Sequence, residues 1–131
     1  MRPPRSNRVT LDLVGPLFCL GLLLACDGRQ TVSLTAEDFR FVPDFVQVKG
    51  SSPLTLSVYN AGREAHEFDS PILVYTAESS LPKETKEAGA AGILLRPGQS
   101  LQIAMAPPPG TYLYICRRKG HANMTGTLIV E

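Results

Sequence analysis

The chain has 131 residues, with 13 Lys and Arg against 12 Asp and Glu, and its formal net charge is +1 at neutral pH. This length fits one domain at most, and a near-neutral charge argues against nucleic-acid binding, which needs a basic face. The 11 Gly and 11 Pro follow no period, which excludes a collagen-like chain. No apolar run reaches the ~20 residues of a membrane-spanning helix. A small globular domain is predicted.

Residues 1–25 have the features of an export signal. Three arginines precede an apolar stretch at residues 13–25, which is too short to span a membrane and is typical of a signal peptide. The stretch ends in Leu-Leu-Ala before Cys26, a pattern that resembles the lipobox of bacterial lipoproteins. The resemblance implies cleavage before Cys26, lipid attachment to its thiol, and a mature domain 26–131 that is tethered to a membrane. The alternative is an ordinary signal peptide with an incidental cysteine.

The residue after Cys26 bears on localisation. It is Asp27, and in the lipoproteins of enteric bacteria an Asp at this position directs retention at the inner membrane. We therefore expect a lipid-anchored protein in the periplasm or at the outer surface, with the inner membrane favoured by Asp27.

Removal of the signal and lipidation of Cys26 would leave Cys116 as the only free thiol of the folded domain. A lone thiol is a liability in an oxidising compartment. It is either a buried core residue, because cysteine packs as a small apolar side chain, or a residue that a ligand protects.

The mature chain shows six segments in which apolar and polar residues alternate, each bounded by turn residues such as Gly, Pro and Asn. This pattern is typical of half-buried strands. Strands spaced in this way predict an all-β fold, a β-sandwich with Greek-key connections. The segments are 31–35, 45–48, 54–59, 100–105, 111–116 and 127–130.

Residues 76–92 interrupt the alternation. The segment is polar and contains several Lys and Glu residues, so we expect either one short helix or a long surface loop. The sequence shows no repeat and no second domain, and residues 26–131 are expected to form a single domain.

The chemistry-bearing side chains fall near two predicted turns. Cys116 ends a predicted strand, and His121 and Met124 follow it in the spacing Cys-x4-His-x2-Met. His66 follows a different strand, and in a sandwich its loop can meet the first loop at the same end. Two imidazoles, one thiolate and a weak thioether form the donor set of blue-copper electron-transfer sites. A metal ion would also protect the lone thiol by coordinating it.

Several motifs make nearly the whole mature chain resemble the cupredoxins, the plastocyanin and azurin superfamily. Phe-x-Phe-x-Pro at 39–43 and Val-x-Val-Lys-Gly at 46–50 look like the usual opening of these domains. The stretch 60–68 matches the first-histidine region. Arg-Pro-Gly-Gln-Ser at 96–100 and Pro-Gly-Thr-Tyr at 109–112 precede the cysteine as they do in that family.

The resemblance implies a cupredoxin-like fold and one type 1 copper ion. The Cys-x4-His gap is azurin-like, and the His-x2-Met gap is the short one of amicyanin. Carried over by position, the copper ligands are His66, Cys116, His121 and, axially, Met124.

Neighbouring positions depart from the family pattern. The residue after the first histidine is often an Asn whose side chain braces the cysteine loop, whereas this chain has Glu67. Plastocyanins place an exposed Tyr before the cysteine as an electron exit, whereas this chain has Ile115, and that route is not carried over. Tyr114 is expected to pack beneath the site with a structural role, and Met105 is expected in the core.

The cupredoxin resemblance implies a one-electron carrier between redox proteins, such as a cytochrome or a copper enzyme, and the lipobox-like pattern implies that it is anchored to a membrane. The outer edge of His121 would be the port for electrons. The sequence has no Ser/His/Asp set and no second metal-ligand cluster, so no enzyme is predicted. The consecutive cations Arg117, Arg118 and Lys119 beside the site are either a solvated loop or a docking surface for an acidic partner.

The alternative function is a copper carrier that delivers the ion to a respiratory enzyme. Such carriers need exposed, exchangeable sulfur ligands, often several methionines, and the mature chain has few. A metal-free scaffold is a third interpretation, against which the intact ligand set argues. We expect a monomer that binds no nucleic acid.

Overall fold

The computed structural model of the chain describes residues 28–50, 53–76 and 92–131. The predicted signal peptide and Cys26 lie outside the described residues, as do residues 77–91 of the segment for which a helix or a loop was expected. In the part of the chain that is described, no helix has the length and apolar character needed to cross a membrane.

The described residues form nine strands and one short 3-10 helix. The 3-10 helix, Pro71–Tyr75, begins after Ser70, whose hydroxyl accepts a hydrogen bond from the backbone N–H of Ile72. The strands are β1 (Gln30–Glu37), β2 (Arg40–Val42), β3 (Phe45–Val48), β4 (Leu54–Asn60), β5 (His66–Phe68), β6 (Ile93–Leu95), β7 (Ser100–Met105), β8 (Gly110–Ile115) and β9 (Thr125–Val130).

Each of the six alternating segments corresponds to one of these strands, namely β1, β3, β4, β7, β8 and β9. The short strands β2, β5 and β6 were not predicted. The three residues of β6 are all apolar and all buried. The strand therefore shows no alternation of apolar and polar residues by which it could be recognised.

The strands form two main sheets. The first has the order β2-β1-β4-β7, in which β1 and β4 are parallel, and the second has the order β3-β9-β8, in which β3 and β9 are parallel. The antiparallel pair β5-β6 joins the edge of β8 through a bridge between Asp69 and Ile115. The chain crosses repeatedly between the sheets, and the predicted all-β Greek-key sandwich is confirmed.

Alternate side chains of both sheets enter a common core. In β7, for example, Leu101, Ile103 and Met105 are buried whereas the residues between them are exposed. Burying one such side chain stabilises the fold by roughly 1.5–3 kcal/mol. The expectation that Met105 lies in the core is confirmed.

An aromatic cluster fills the core below the end of the sandwich where β5 begins and β8 ends. The ring of Tyr114 lies 5.3 Å from that of Phe41 and 5.8 Å from that of Phe68, measured between centroids. Its hydroxyl donates a hydrogen bond of 2.8 Å to the carbonyl of Pro43. Tyr114 therefore packs in the core, as predicted. Its contacts connect β8, which ends just before Cys116, with β2 and with β5, which begins at His66.

Candidate metal centre

His66 is the first residue of β5, where it pairs with Leu95 of β6, and not a loop residue as the turn signals suggested. The loop before it is held by the buried side chain of Asn60. The Asn60 amide donates to the carbonyls of Glu64 and Leu95, each at 2.8 Å, and its oxygen accepts from the N–H of Gly62 at 2.8 Å. One buried amide thus fixes the path of the chain that leads to His66.

Cys116 directly follows β8, and the loop after it returns to β9. Backbone hydrogen bonds fold this loop tightly: the N–H of Cys116 donates to Met124, that of His121 to Arg118, and that of Met124 to His121, at 2.9–3.0 Å. All three predicted ligands on the loop are buried, Met124 completely. The Cys-x4-His-x2-Met spacing therefore forms two consecutive tight turns.

The two elements bring His66, Cys116 and His121 together. The candidate donor atoms of the three residues all lie within 4.8 Å of one another. The two Nδ1 atoms are 3.2 Å apart, and the sulfur of Cys116 is 3.6 Å from Nδ1 of His121. Three donors thus converge in a buried space at one end of the sandwich.

The chemistry of this donor set fits copper. A thiolate is a soft ligand that suits Cu(I), and imidazole nitrogens also suit Cu(II), so both oxidation states can be held by the same residues. The sulfur of Cys116 additionally accepts a hydrogen bond of 3.3 Å from the backbone N–H of Glu67. Such partners of a ligand orient it and tune the metal.

Comparison with known domains agrees with the fold and the donor set. A profile of the cupredoxin-like domain matches residues 16–130. The chain belongs to the cupredoxin family. Family and donor set together identify the cofactor of this cupredoxin as one type 1 copper ion.

Solved structures share the fold of this cupredoxin. Auracyanin A, a "blue" copper protein of the green thermophilic photosynthetic bacterium Chloroflexus aurantiacus, is 24% identical with a TM-score of 0.56, over 79% of this chain and 100% of that one. The dithionite-reduced auracyanin of Roseiflexus castenholzii is 21% identical with a TM-score of 0.56, over 78% and 97% of the two chains. A multicopper oxidase is 17% identical with a TM-score of 0.54, over 79% of this chain and 42% of that one. A search of curated protein sequences finds no match.

Burial controls the protonation of His66. It lowers the pKa of this imidazole below its usual value, and the neighbouring ring of His121 lowers it further, while Asp38 and Glu64 act in the opposite direction. A lowered pKa keeps the ring neutral near pH 7, and neutral imidazole is the form that binds a metal.

The outer edge of His121 is covered in this cupredoxin. Its side chain is only 4% exposed, so the edge that was expected to be the port for electrons is almost completely buried. Glu64 covers Nε2, with a carboxylate oxygen at 3.0 Å, and the ring of Phe39 packs edge-on at 5.2 Å between centroids. Phe39 has a positive φ of 69° and is 55% exposed, so an exposed phenylalanine ring lies beside His121.

Sequence reasoning missed the groups behind the histidines. Asp38 approaches the outer nitrogen of His66, with Oδ1 at 3.8 Å from Nε2, and Glu64 contacts His121 across the gap between two loops. Glu64 lies two residues before His66 in the chain but contacts His121. Its position in the sequence therefore gave no indication of that contact.

The predicted docking cations differ from one another in their surroundings. The guanidinium of Arg117 pairs with Asp69, so part of its charge is neutralised. Arg118 and Lys119 are exposed, and neither forms an ion pair with a carboxylate of the described residues.

Proposed function

We propose that this cupredoxin is a membrane-anchored carrier of single electrons between larger redox proteins in the periplasm or at the outer surface. A copper ion supplies the one-electron couple, and the chain supplies its ligands, fixes their positions and excludes water. The observation that supports the proposal is the buried convergence of His66, Cys116 and His121, with all donor atoms within 4.8 Å of one another. We assign all three as copper ligands.

The ligand loops are held in a way that suits electron transfer. Backbone hydrogen bonds fix the turns around Cys116 and His121, and the buried amide of Asn60 fixes the approach to His66. Because these bonds do not involve the donor atoms, the ligands need to move little when the charge of the site changes by one. Small rearrangement favours fast one-electron exchange.

We assign the weak axial bond to Met124. Its side chain is completely buried, and its backbone is hydrogen-bonded to both Cys116 and His121. Met105, the other methionine among the described residues, belongs to β7 and the core. Met124 is therefore the methionine whose sulfur we assign to the axial position, because it lies on the same loop as Cys116 and His121.

Burial of the sulfur ligands favours electron transfer over copper delivery. Cys116 is 5% exposed and Met124 is fully buried. A protein that hands its ion to another must let the recipient's ligands reach the metal, and neither sulfur offers such access.

The proposed docking surface is formed by Arg118 and Lys119, with Arg117 at its margin. Burial and the ring of His121 lower the pKa of His66 most, and the charge of Arg118 adds a smaller contribution in the same direction. This supports a position of Arg118 near the proposed copper site. An acidic redox partner, such as a cytochrome or a copper enzyme, fits such a surface because opposite charges steer the encounter.

The docking proposal is tested by the salt dependence of electron exchange with an acidic and a basic cytochrome. We expect the acidic one to react faster and its rate to fall with salt, since the Debye length shrinks from ~10 Å at 0.1 M to ~3 Å at 1 M. The double variant Arg118→Gln/Lys119→Gln should flatten this dependence. The matched control is Lys49→Gln, because Lys49 follows β3 at the end of β9 away from the ligand loop. An unchanged salt dependence in the double variant would reject this surface.

The proposed anchor is lipid on Cys26. Cys26→Ser should move the protein from the membrane fraction to the soluble fraction while its visible copper spectrum stays the same. A variant that remains in membranes after a carbonate wash would show that another feature anchors the chain.

A further inference from the structure

Each candidate histidine ligand has a carboxylate at its outer nitrogen. Glu64 Oε2 lies 3.0 Å from Nε2 of His121, and Asp38 Oδ1 lies 3.8 Å from Nε2 of His66. We propose that Glu64 is a positioning residue that keeps Nδ1 of His121 available to copper, and that Glu64 and Asp38 both shift the couple toward Cu(II), with Glu64 the stronger of the two. This inference rests on the copper site of the proposed function and not on its redox partner.

Glu64 selects the tautomer of His121. A neutral imidazole carries its proton on one nitrogen only, and an ionised carboxylate can accept a hydrogen bond but not donate one. The contact with Glu64 therefore places the proton of His121 on Nε2 and leaves a lone pair on Nδ1. That Nδ1 is the atom that lies 3.2 Å from its counterpart on His66 and 3.6 Å from the sulfur of Cys116.

Asp38 acts on His66 through charge and not through a hydrogen bond. The Nε2 atom of His66 is buried and has no hydrogen-bond partner among the described residues, and 3.8 Å is too long for such a bond. Asp38 is also engaged by Arg63, whose backbone N–H donates to Oδ1 at 2.8 Å and whose Nε donates to Oδ2 at 3.0 Å. The cation of Arg63 offsets part of the negative charge that His66 experiences.

Gly62 makes the approach of Asp38 to His66 possible. A Cβ at this position would lie 2.5 Å from Asp38 Oδ1 and 2.6 Å from Nε2 of His66. Both contacts are closer than side-chain carbons tolerate, so any larger residue would push the carboxylate away from the ring.

The two carboxylates should have unequal effects on copper. Negative charge at Nε2 makes an imidazole a better donor and stabilises the more highly charged Cu(II) over Cu(I). Partners of this kind change metal affinity by about 10–100-fold, and a tenfold change in the Cu(II)/Cu(I) affinity ratio corresponds to about 59 mV for one electron. Glu64 makes direct contact, whereas Asp38 is more distant and partly neutralised, so Glu64 should contribute more.

The first test compares the reduction potentials of copper-loaded Glu64→Gln, Asp38→Asn and wild-type proteins. We expect Glu64→Gln to lower the Cu(II)/Cu(I) affinity ratio about tenfold or more, which raises the reduction potential. Asp38→Asn should raise the reduction potential by a smaller amount. Glu37→Gln is the matched control, since Glu37 precedes Asp38 but pairs with Arg40, and its potential should equal that of the wild type. An unchanged potential in Glu64→Gln, or a larger effect of Asp38→Asn, would overturn the inference.

A second measurement reads the proton on His121 directly. Nitrogen-15 shifts of the imidazole in the metal-free protein should show the Nε2–H tautomer in the wild type and in Glu64→Gln, whose amide oxygen can still accept, but a mixture of tautomers in Glu64→Ala. A single Nε2–H tautomer in Glu64→Ala would contradict the positioning role. A copper-loaded wild-type protein without a blue band would reject the copper site itself. A blue protein whose reduction potential is the same in the wild type and in Glu64→Gln would reject only this inference.

Discussion

The backbone N–H of Glu67 donates a 3.3 Å hydrogen bond to the sulfur of Cys116, and the side chain of Glu67 takes no part in that contact. Its carboxylate instead accepts from the N–H of Gly92 at 3.1 Å, which ties β5 to the residue before β6. Many cupredoxins have an Asn after the first histidine, whereas this chain has Glu67, and here the main chain makes the contact to the sulfur.

Glu67→Ala should therefore keep the copper spectrum. The variant retains the backbone N–H and loses only the bond to Gly92, which we expect to cost about 1 kcal/mol of stability. Visible absorption and chemical denaturation of the copper-loaded protein check the two parts separately. Loss of the visible band in Glu67→Ala would mean that the side chain, and not the main chain, supports the sulfur.

Gly126 should not tolerate a side chain. It pairs with Tyr114 across β8 and β9, and a Cβ at Gly126 would overlap the ring of Tyr114. Gly126→Ala should lower the free energy of unfolding by about 1–3 kcal/mol through overpacking. Gly110→Ala is the control, because its Cβ would lie at an ordinary 3.4 Å from Tyr112, and its stability should match or slightly exceed that of the wild type. Equal losses in both variants would contradict this packing.

Stability should fall in strongly alkaline solution because of Tyr114. Burial raises the pKa of Tyr114 to about 12, with a smaller contribution from Asp44, whereas an unfolded tyrosine titrates near ~10. Between about pH 10 and 12 the folded state therefore holds more protons than the unfolded state, and the free energy of unfolding decreases as pH rises. The decrease attributable to this group should total about 3 kcal/mol.

Denaturation curves measured at increasing pH check this titration. Tyr114→Phe should show a shallower decline than the wild type, whereas Tyr59→Phe, at an exposed position, should decline like the wild type. Parallel curves for wild type and Tyr114→Phe would place the alkaline sensitivity elsewhere.

Sequence reasoning could predict those features that local pattern and spacing determine. The alternation in β7 and β8 revealed both strands, and the spacing from Cys116 to His121 indicated the ligand loop. The three buried residues of β6 have no alternation to reveal them. The contact between Glu64 and His121 depends on how two loops meet at the end of the sandwich, so no local pattern specified it.

Met124 should control the reduction potential without creating the blue colour. Loss of the weak thioether donor in Met124→Leu disfavours Cu(II) more than Cu(I), so the potential should rise while the visible band remains. Met124→Gln offers a harder oxygen donor and should lower the potential and distort the Cu(II) spectrum. Three equal potentials for wild type and both variants would show that Met124 only packs.

The central claim is that Cys116 provides a thiolate to a type 1 copper ion beside His66 and His121. Visible absorption of copper-loaded wild type and Cys116→Ser protein tests it most directly, because the intense band of such a site arises from thiolate-to-Cu(II) charge transfer. We predict an intense band in the wild type that bleaches with reductant and returns on oxidation, and no such band in Cys116→Ser, whose fold should persist by circular dichroism. A folded Cys116→Ser protein that keeps the band would contradict the assignment.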